Sequence, residues 1–83
     1  MKAIYFAWIR ECVGKAEEEF APPAEVVTVA ELIAWLSRQG DGYACAFDKV
    51  AVVRAAIDRR HDRLDASVGG AREIAFFPPM TGG

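Results

Sequence analysis

The sequence predicts an α+β fold in which a mixed sheet packs on one main helix. Three observations carry this prediction: a capped amphipathic helix begins at Thr28, strand-like segments precede it, and further strand-like segments follow it. The chain has 83 residues, of which 53% are hydrophobic. We therefore expect one globular domain spanning residues 1–83, with residues 78–83 forming an extended C-terminal tail.

The segment before the main helix predicts two strands. Residues 2–9, KAIYFAWI, are rich in aromatic and β-branched side chains and predict an opening strand. A short helical turn or loop is expected at 9–14, which ends on a glycine. Residues 17–20, EEEF, predict the return strand of a hairpin, and Pro22 and Pro23 end it.

The main helix shows both a start signal and an apolar stripe. Thr28 and Glu31 have the spacing of a capping box. Gly40 and Gly42 flank Asp41 and are predicted to stop the helix. The apolar positions follow the spacing i, i+3, i+4, i+7 that burial of one helix face requires: Val29, Leu32, Ile33 and Leu36.

Strand signals return after a mixed segment at 43–49. Residues 50–58, VAVVRAAID, predict a strand, and 59–64 predict a turn leading to a short edge strand. A tight turn at 68–71 then precedes a last strand at 72–77. The resulting order of elements fits the β-grasp layout, and other small α+β folds fit it as well.

Composition and charge exclude several classes of protein. Ten Lys and Arg against twelve Asp and Glu give a net charge of −2, which argues against a nucleic-acid binder. His61, among arginines, is interpreted as a surface residue on a turn rather than as a general base. The apolar runs are too short to span a membrane and no signal peptide is visible near Met1, so we expect a cytoplasmic protein that binds no membrane.

The two cysteines do not form a recognisable motif. Cys12 and Cys45 lack CxxC spacing and are interpreted as reduced packing thiols rather than as a disulfide, a metal pair or a sulfur relay. One histidine and two scattered cysteines do not supply the four ligands of a zinc site. We therefore expect no bound metal.

The C-terminal residues 73–83, EIAFFPPMTGG, combine a stiff base with a thin tip. Pro78 and Pro79 cannot continue a strand ladder, and their fixed φ stiffens the chain where it leaves the sheet. Gly82 and Gly83 carry no Cβ and can enter a slot too narrow for side chains. The last four residues, when extended, reach roughly 13 Å. The reactive group at this tip is the carboxylate of Gly83, which needs activation, most simply as an acyl-adenylate.

Three stretches resemble the small subunits of molybdopterin synthase, a family of ubiquitin-like sulfur carriers. They are YFAWIRECVG at 5–14, the capped helix from Thr28, and above all AFFPPMTGG at 75–83. A bare Gly-Gly end is typical of ubiquitin-like sulfur carriers and modifiers in general. The Phe-Phe-Pro-Pro before it narrows the resemblance to the small subunits of molybdopterin synthase. The resemblance implies a ubiquitin-like β-grasp fold.

The resemblance also implies a chemistry and its partners. An adenylating enzyme related to ubiquitin-activating enzymes would use ATP to activate Gly83, and a sulfur donor enzyme would convert it to a thiocarboxylate. Within the large subunit, this sulfur would pass to cyclic pyranopterin monophosphate and build the dithiolene of molybdopterin. A heterotetramer with the large subunit is implied. The chain itself would bind no cofactor and would not be catalytic without the large subunit.

By the same resemblance, part of the surface faces the large subunit. Positions Phe6, Arg10 and Phe77 would contact it. Strand alternation supports an outward Phe77, whereas core packing is an equally good interpretation of Phe6. The residues that would thread into the partner are Pro78, Pro79, Met80, Thr81, Gly82 and Gly83.

Two positions depart from the family pattern. Ala71-Arg72 stands where Gly-Asp is common before the last strand, and Asp58 stands where Asn is frequent.

Two alternative functions stay open at this point. One is a sulfur carrier for another pathway, such as formation of the thiamine thiazole, and the other is a non-catalytic β-grasp interaction module.

Overall fold

The computed structural model describes residues 1–79. A five-stranded sheet forms one layer, with strand order β2-β1-β5-β3-β4, and three α-helices and one short 3₁₀ helix (Val50–Val52) accompany it. The elements are β1 (Lys2–Tyr5), α1 (Ala7–Val13), β2 (Glu17–Glu19), α2 (Val29–Ser37), α3 (Asp41–Ala46), β3 (Arg54–Ile57), β4 (Arg60–Asp62) and β5 (Glu73–Phe77).

The sheet is mixed, as the sequence predicts. Strands β1 and β5 run parallel in its centre, and the other three neighbouring pairs are antiparallel. Phe76 of β5 lies opposite Tyr5 of β1 on one side and Ala55 of β3 on the other. The last strand is therefore the central one, and its end is flanked by the ends of two other strands.

The core lies between the sheet and α2. The predicted capping box is present: the Glu31 amide donates to Thr28 Oγ1 at 3.1 Å, and the Thr28 amide donates to Glu31 Oε1 at 3.0 Å. All four residues of the predicted stripe are buried, as are Tyr5, Ile74 and Phe76 of the sheet. The helix from Thr28, its apolar face and the last strand are thus confirmed.

The opening strand is shorter than the predicted 2–9. It stops at Tyr5, because the Phe6 carbonyl accepts the amides of Ile9 and Arg10 and so begins α1. Ala7 has a φ of 51°, which strand geometry does not allow. The predicted short helical turn at 9–14 is a helix of two turns that begins at Ala7 and ends at Val13, and Gly14, with its φ of 86°, caps it.

The region 41–58 also differs from the prediction. Helix α3 begins at Asp41 and extends into the mixed segment as far as Ala46, and the predicted strand at 50–58 is a 3₁₀ helix followed by the four residues of β3. The main helix ends at Ser37, before either glycine, and Gly40 immediately precedes α3. An apolar run such as VAVV does not by itself distinguish a strand from a short helix, which explains the error.

The two departures from the family pattern contact each other. Asp58 and Arg59 have φ values of 48° and 72°, as a two-residue type I′ turn between β3 and β4 requires. Asp58 Oδ1 accepts the amides of Arg72 and Glu73, both at 3.0 Å. Asp58 therefore ties this turn to the start of β5. The predicted tight turn at 68–71 is confirmed by a hydrogen bond from the Ala71 amide to the Val68 carbonyl.

Candidate functional site

The candidate site is the root of the tail, which we define as residues Phe77, Pro78 and Pro79. The Phe6 amide donates to the Phe76 carbonyl at 3.1 Å, so Phe6 lies directly beside the end of β5. Neither proline has an amide hydrogen, and the ladder ends where they begin. The chain consequently leaves the sheet from its central strand.

The aromatic side chains at this end of the sheet divide between the core and the surface. Tyr5 and Phe76 are buried and stacked, with ring centroids 6.2 Å apart. Phe77 is half-buried and lies on the other face, as the alternation of β5 predicts. Phe6 is 48% exposed, so it is not a core residue.

An apolar groove of about 520 Å³ runs along the outer face of the sheet beside the tail root. Ala56 and Ala75, which lie opposite each other in β3 and β5, line it, and their small side chains leave room for the groove. We call it the sheet groove. The residues lining it are Phe6, Ala7, Ala56, Arg59, His61, Ala75, Phe77, Pro78 and Pro79.

A second groove, of about 580 Å³, lies across the two prolines from the first. We call it the helix groove, because Trp8 of α1 and Val52 of the 3₁₀ helix line it together with Asp48, Lys49, Pro78 and Pro79. Val52 is 39% exposed. Pro78 and Pro79 thus form a ridge between two open apolar surfaces.

Sequence reasoning missed the positions of three of these residues. His61 is exposed, but it lies on β4 opposite Ala56, and its ring centroid is 4.9 Å from that of Phe77. Trp8 and Val52 were assigned to strands. The pairing of β3 with β4 places His61 at the tail root, and the short turn at 58–59 was the signal in the sequence that could have revealed it.

The remaining predicted site residues have different positions. Arg10 is exposed on α1, and its amide donates to the Phe6 carbonyl at 3.2 Å, which places it one turn beyond Phe6. Met80, Thr81, Gly82 and Gly83 lie outside the described residues. Their predicted roles, and those of Phe6, Arg10 and the tail root in binding a partner, stay predictions.

A partly buried polar cluster lies away from the tail root. The hydroxyls of Tyr5 and Tyr43 both donate to Glu18 Oε2 at 2.7 Å, and Lys15 Nζ donates to Glu18 Oε1 at 3.0 Å. Desolvation of Glu18 opposes ionisation, but these hydrogen bonds outweigh it and lower the pKa of the carboxyl. Burial, reinforced by the same carboxylate, raises the pKa of Tyr5. The Glu18 cluster therefore joins β1, β2 and α3 and has a structural role.

Residues 1–79 contain neither a cluster of metal-ligating side chains nor a helix that could cross a membrane. No group of three or more His, Cys, Asp or Glu side chains is arranged to hold a metal ion. None of the helices in this part of the chain is long and apolar enough to cross a membrane.

Comparison with known proteins places the chain in a family. The model of the ThiS family matches residues 3–83. The molybdopterin synthase sulfur carrier subunit of Escherichia coli K12 is 35% identical over 83 residues, covering 100% of this chain and 99% of that protein. The subunit of the same name from Haemophilus influenzae is 33% identical over 87 residues, with coverage of 100% and 99%.

The solved structures confirm the fold. A Pyrococcus furiosus protein described as molybdopterin converting factor, subunit 1, superposes with a TM-score of 0.72 at 26% identity, covering 95% of each chain. This similarity, which covers nearly the whole chain, confirms the β-grasp prediction. The chain therefore belongs to the ThiS family, and its resemblance to the small subunits of molybdopterin synthase is confirmed.

Proposed function

We propose that the chain is the sulfur-carrying small subunit of a molybdopterin synthase. Family membership and the names of both curated relatives support a role as a sulfur carrier. The observation that carries the more specific assignment is the motif AFFPPMTGG at 75–83, which begins in the central strand and leaves the sheet through Pro78 and Pro79.

Gly83 carries the chemistry in this proposal. Its carboxylate attacks the α-phosphate of ATP on an adenylating enzyme, and pyrophosphate leaves. Sulfur at the sulfide level, delivered by a donor enzyme, then bonds to the acyl carbon and AMP leaves, so that Gly83 ends in a thiocarboxylate. In the large subunit this sulfur passes to cyclic pyranopterin monophosphate, and two such donations complete the dithiolene. The large subunit supplies the catalytic acids and bases, and the small subunit acts as a sulfurtransferase component only in its presence.

The surface around the tail root supports docking on a partner. Phe6 is exposed beside the sheet groove, and the helix groove opens on the other side of the prolines. Exposed aromatic side chains beside apolar grooves are typical anchors of protein interfaces. In the proposal these two surfaces contact the large subunit of a heterotetramer while residues 80–83 reach its active site.

A reconstitution tests the proposal. The chain is prepared with a Gly83 thiocarboxylate and mixed with a molybdopterin synthase large subunit and cyclic pyranopterin monophosphate, and dithiolene-bearing molybdopterin is assayed. We expect product with the thiocarboxylate and none with the matched Gly83 carboxylate. If the sulfur stays on Gly83 beside a competent large subunit, the acceptor belongs to another pathway, and thiazole formation is tested next. Membership of the ThiS family does not favour that alternative.

A further inference from the structure

Cys12 and Cys45 lie in contact, although 33 positions separate them in the sequence. Their Sγ atoms are 2.7 Å apart, and both thiols are free. Cys12 is on α1 and Cys45 is on α3. The sequence predicts two unrelated packing thiols, but the fold brings them together.

Gly42 explains why the two helices approach so closely. A Cβ atom on Gly42 would lie 2.6 Å from the carbonyl oxygen of Cys12, a separation that real side chains do not adopt. Cys45 is three positions after Gly42 and so lies on the same side of α3. The missing side chain at residue 42 therefore permits the contact between the sulfurs.

From this geometry we propose that Cys12 and Cys45 form a reversible intramolecular disulfide that staples α1 to α3. Cys45 is exposed and Cys12 is partly exposed, so small-molecule oxidants reach the pair. This inference does not depend on the proposed function. Its two thiols are not part of the tail root or of either groove.

A small-molecule disulfide, such as that of glutathione, is the oxidant. The Cys45 thiolate attacks one of its sulfurs, the S–S bond breaks, a mixed disulfide forms and one glutathione leaves. Cys12 then loses its proton and attacks the Cys45 sulfur, and the second glutathione leaves. The protein loses two electrons and two protons, and the two glutathione thiols gain them.

The order of the two steps follows from exposure and local chemistry. The adjacent Cys45 sulfur raises the pKa of the Cys12 thiol, and thiolates rather than thiols attack disulfides. Cys45 is the more exposed of the two. The oxidant therefore reaches Cys45 first, and Cys12 resolves the mixed disulfide.

The disulfide would restrain the residues that line the helix groove beside the tail root. Helix α1 follows Phe6 and contains Trp8, and α3 leads into Asp48 and Lys49, which line the helix groove with Trp8. Joining α1 to α3 fixes these two walls relative to each other. Because the link closes a loop of over thirty residues, we expect the oxidised chain to melt about 10 °C or more above the reduced chain.

The test equilibrates the reduced full chain in graded glutathione buffers, followed by alkylation and intact mass measurement. In oxidising buffer we expect a monomer that is lighter than the reduced chain by two hydrogens and takes up no alkyl group. This form should outnumber the glutathione-bound forms by about tenfold or more. The matched variants Cys12→Ser and Cys45→Ser should show free thiol or a stable mixed disulfide instead. Two bound glutathiones, disulfide-linked dimers or two alkylated thiols in the wild-type chain in the most oxidising buffer would overturn the proposal.

A melting experiment tests the staple separately from disulfide formation. The wild-type melting temperature should rise on oxidation, whereas the double variant Cys12→Ser/Cys45→Ser should melt at the same temperature in both buffers. A wild-type chain that forms the disulfide but melts no higher would refute the claim that the bond staples the two helices.

Discussion

The Glu18 carboxylate joins three elements of the fold through its hydrogen bonds with Tyr5, Tyr43 and Lys15. Its side chain is 17% exposed. Gln at this position replaces one acceptor oxygen with an amide donor, so either the two tyrosine hydroxyls or Lys15 Nζ loses its acceptor, and the charge that strengthens these bonds is removed. We predict that Glu18→Gln lowers the free energy of unfolding by about 1–3 kcal/mol at pH 7. The matched variant Glu17→Gln, on the same strand but 55% exposed, should change it by less than about 0.5 kcal/mol.

The effect of Glu18→Gln depends on pH in a defined direction. The folded-state pKa of Glu18 is lowered from about 4.5. The contribution of the carboxylate to the stability of the fold is therefore fully present above that value, and it is lost as the pH falls through the lowered folded-state pKa. Urea unfolding at pH 7 and at lower pH values measures the free energy of unfolding of both chains. The difference in this free energy between wild type and Glu18→Gln should shrink on acidification. A difference that grows would contradict a lowered pKa of Glu18 in the folded chain.

Phe6 and Val27 provide a matched pair of exposed apolar residues. They are 48% and 51% exposed, and Val27 lines neither groove. We predict that Phe6→Ala weakens binding to a molybdopterin synthase large subunit by about tenfold or more, because aromatic anchors dominate interface energies. Val27→Ala should leave the dissociation constant within about twofold of wild type. Calorimetric titration measures both, and equal effects of the two variants would remove Phe6 from the interface.

At the scale of elements, the turn between β3 and β4 has two residues with positive φ and different side-chain roles. The backbone of Arg59 is strained at φ 72°. Its side chain is 89% exposed, so its ion pair with Glu73, at 3.9 Å, contributes little to stability. Arg59→Gly should therefore stabilise the fold by about 1 kcal/mol. Asp58→Gly should instead destabilise it by about 1–2 kcal/mol, since it removes both hydrogen bonds to the start of β5.

Chemical denaturation of the two variants tests this interpretation of the turn. Their backbone angles are alike, so opposite signs of the change in unfolding free energy would separate backbone strain from side-chain bonding. A stabilised Asp58→Gly chain would show that the bonds from Asp58 to residues 72 and 73 contribute nothing.

Elements with strong local patterns were predictable, and elements defined by contacts were not. The helix from Thr28 and the strand ending at Phe77 each have a period that burial of one face requires. Helix α3, DGYACA, has six residues and no such period, and only its packing against α1 and α2 explains it. The predicted strand at 2–9 failed at Phe6, where one carbonyl accepts two amides and turns the chain into α1.

The candidate site was predictable in the same uneven way. Phe77 and the prolines were evident from β5 and the motif that follows it. The grooves were not, because residues such as His61, Lys49 and Trp8 join the site through strand pairing and helix packing over long sequence separations. The contact between Cys12 and Cys45 was hidden for the same reason.

At the scale of the whole molecule, the domain places Pro78 and Pro79 directly after its central strand, where the chain leaves the sheet. In the proposed function, all the transferred sulfur is carried by Gly83. The length and chemistry of this end should therefore matter more to function than any side chain of the core, whose changes act through stability.

The most direct test of this claim is the mass of the chain after incubation with the adenylating enzyme, ATP and a sulfur donor. We predict that one oxygen of the wild-type chain is replaced by sulfur. We predict no replacement when Gly83 is deleted or when one residue is added after it, with both variants folded as wild type. Full loading of the extended chain would contradict the account, because its sulfur would then lie somewhere other than the Gly83 carboxyl.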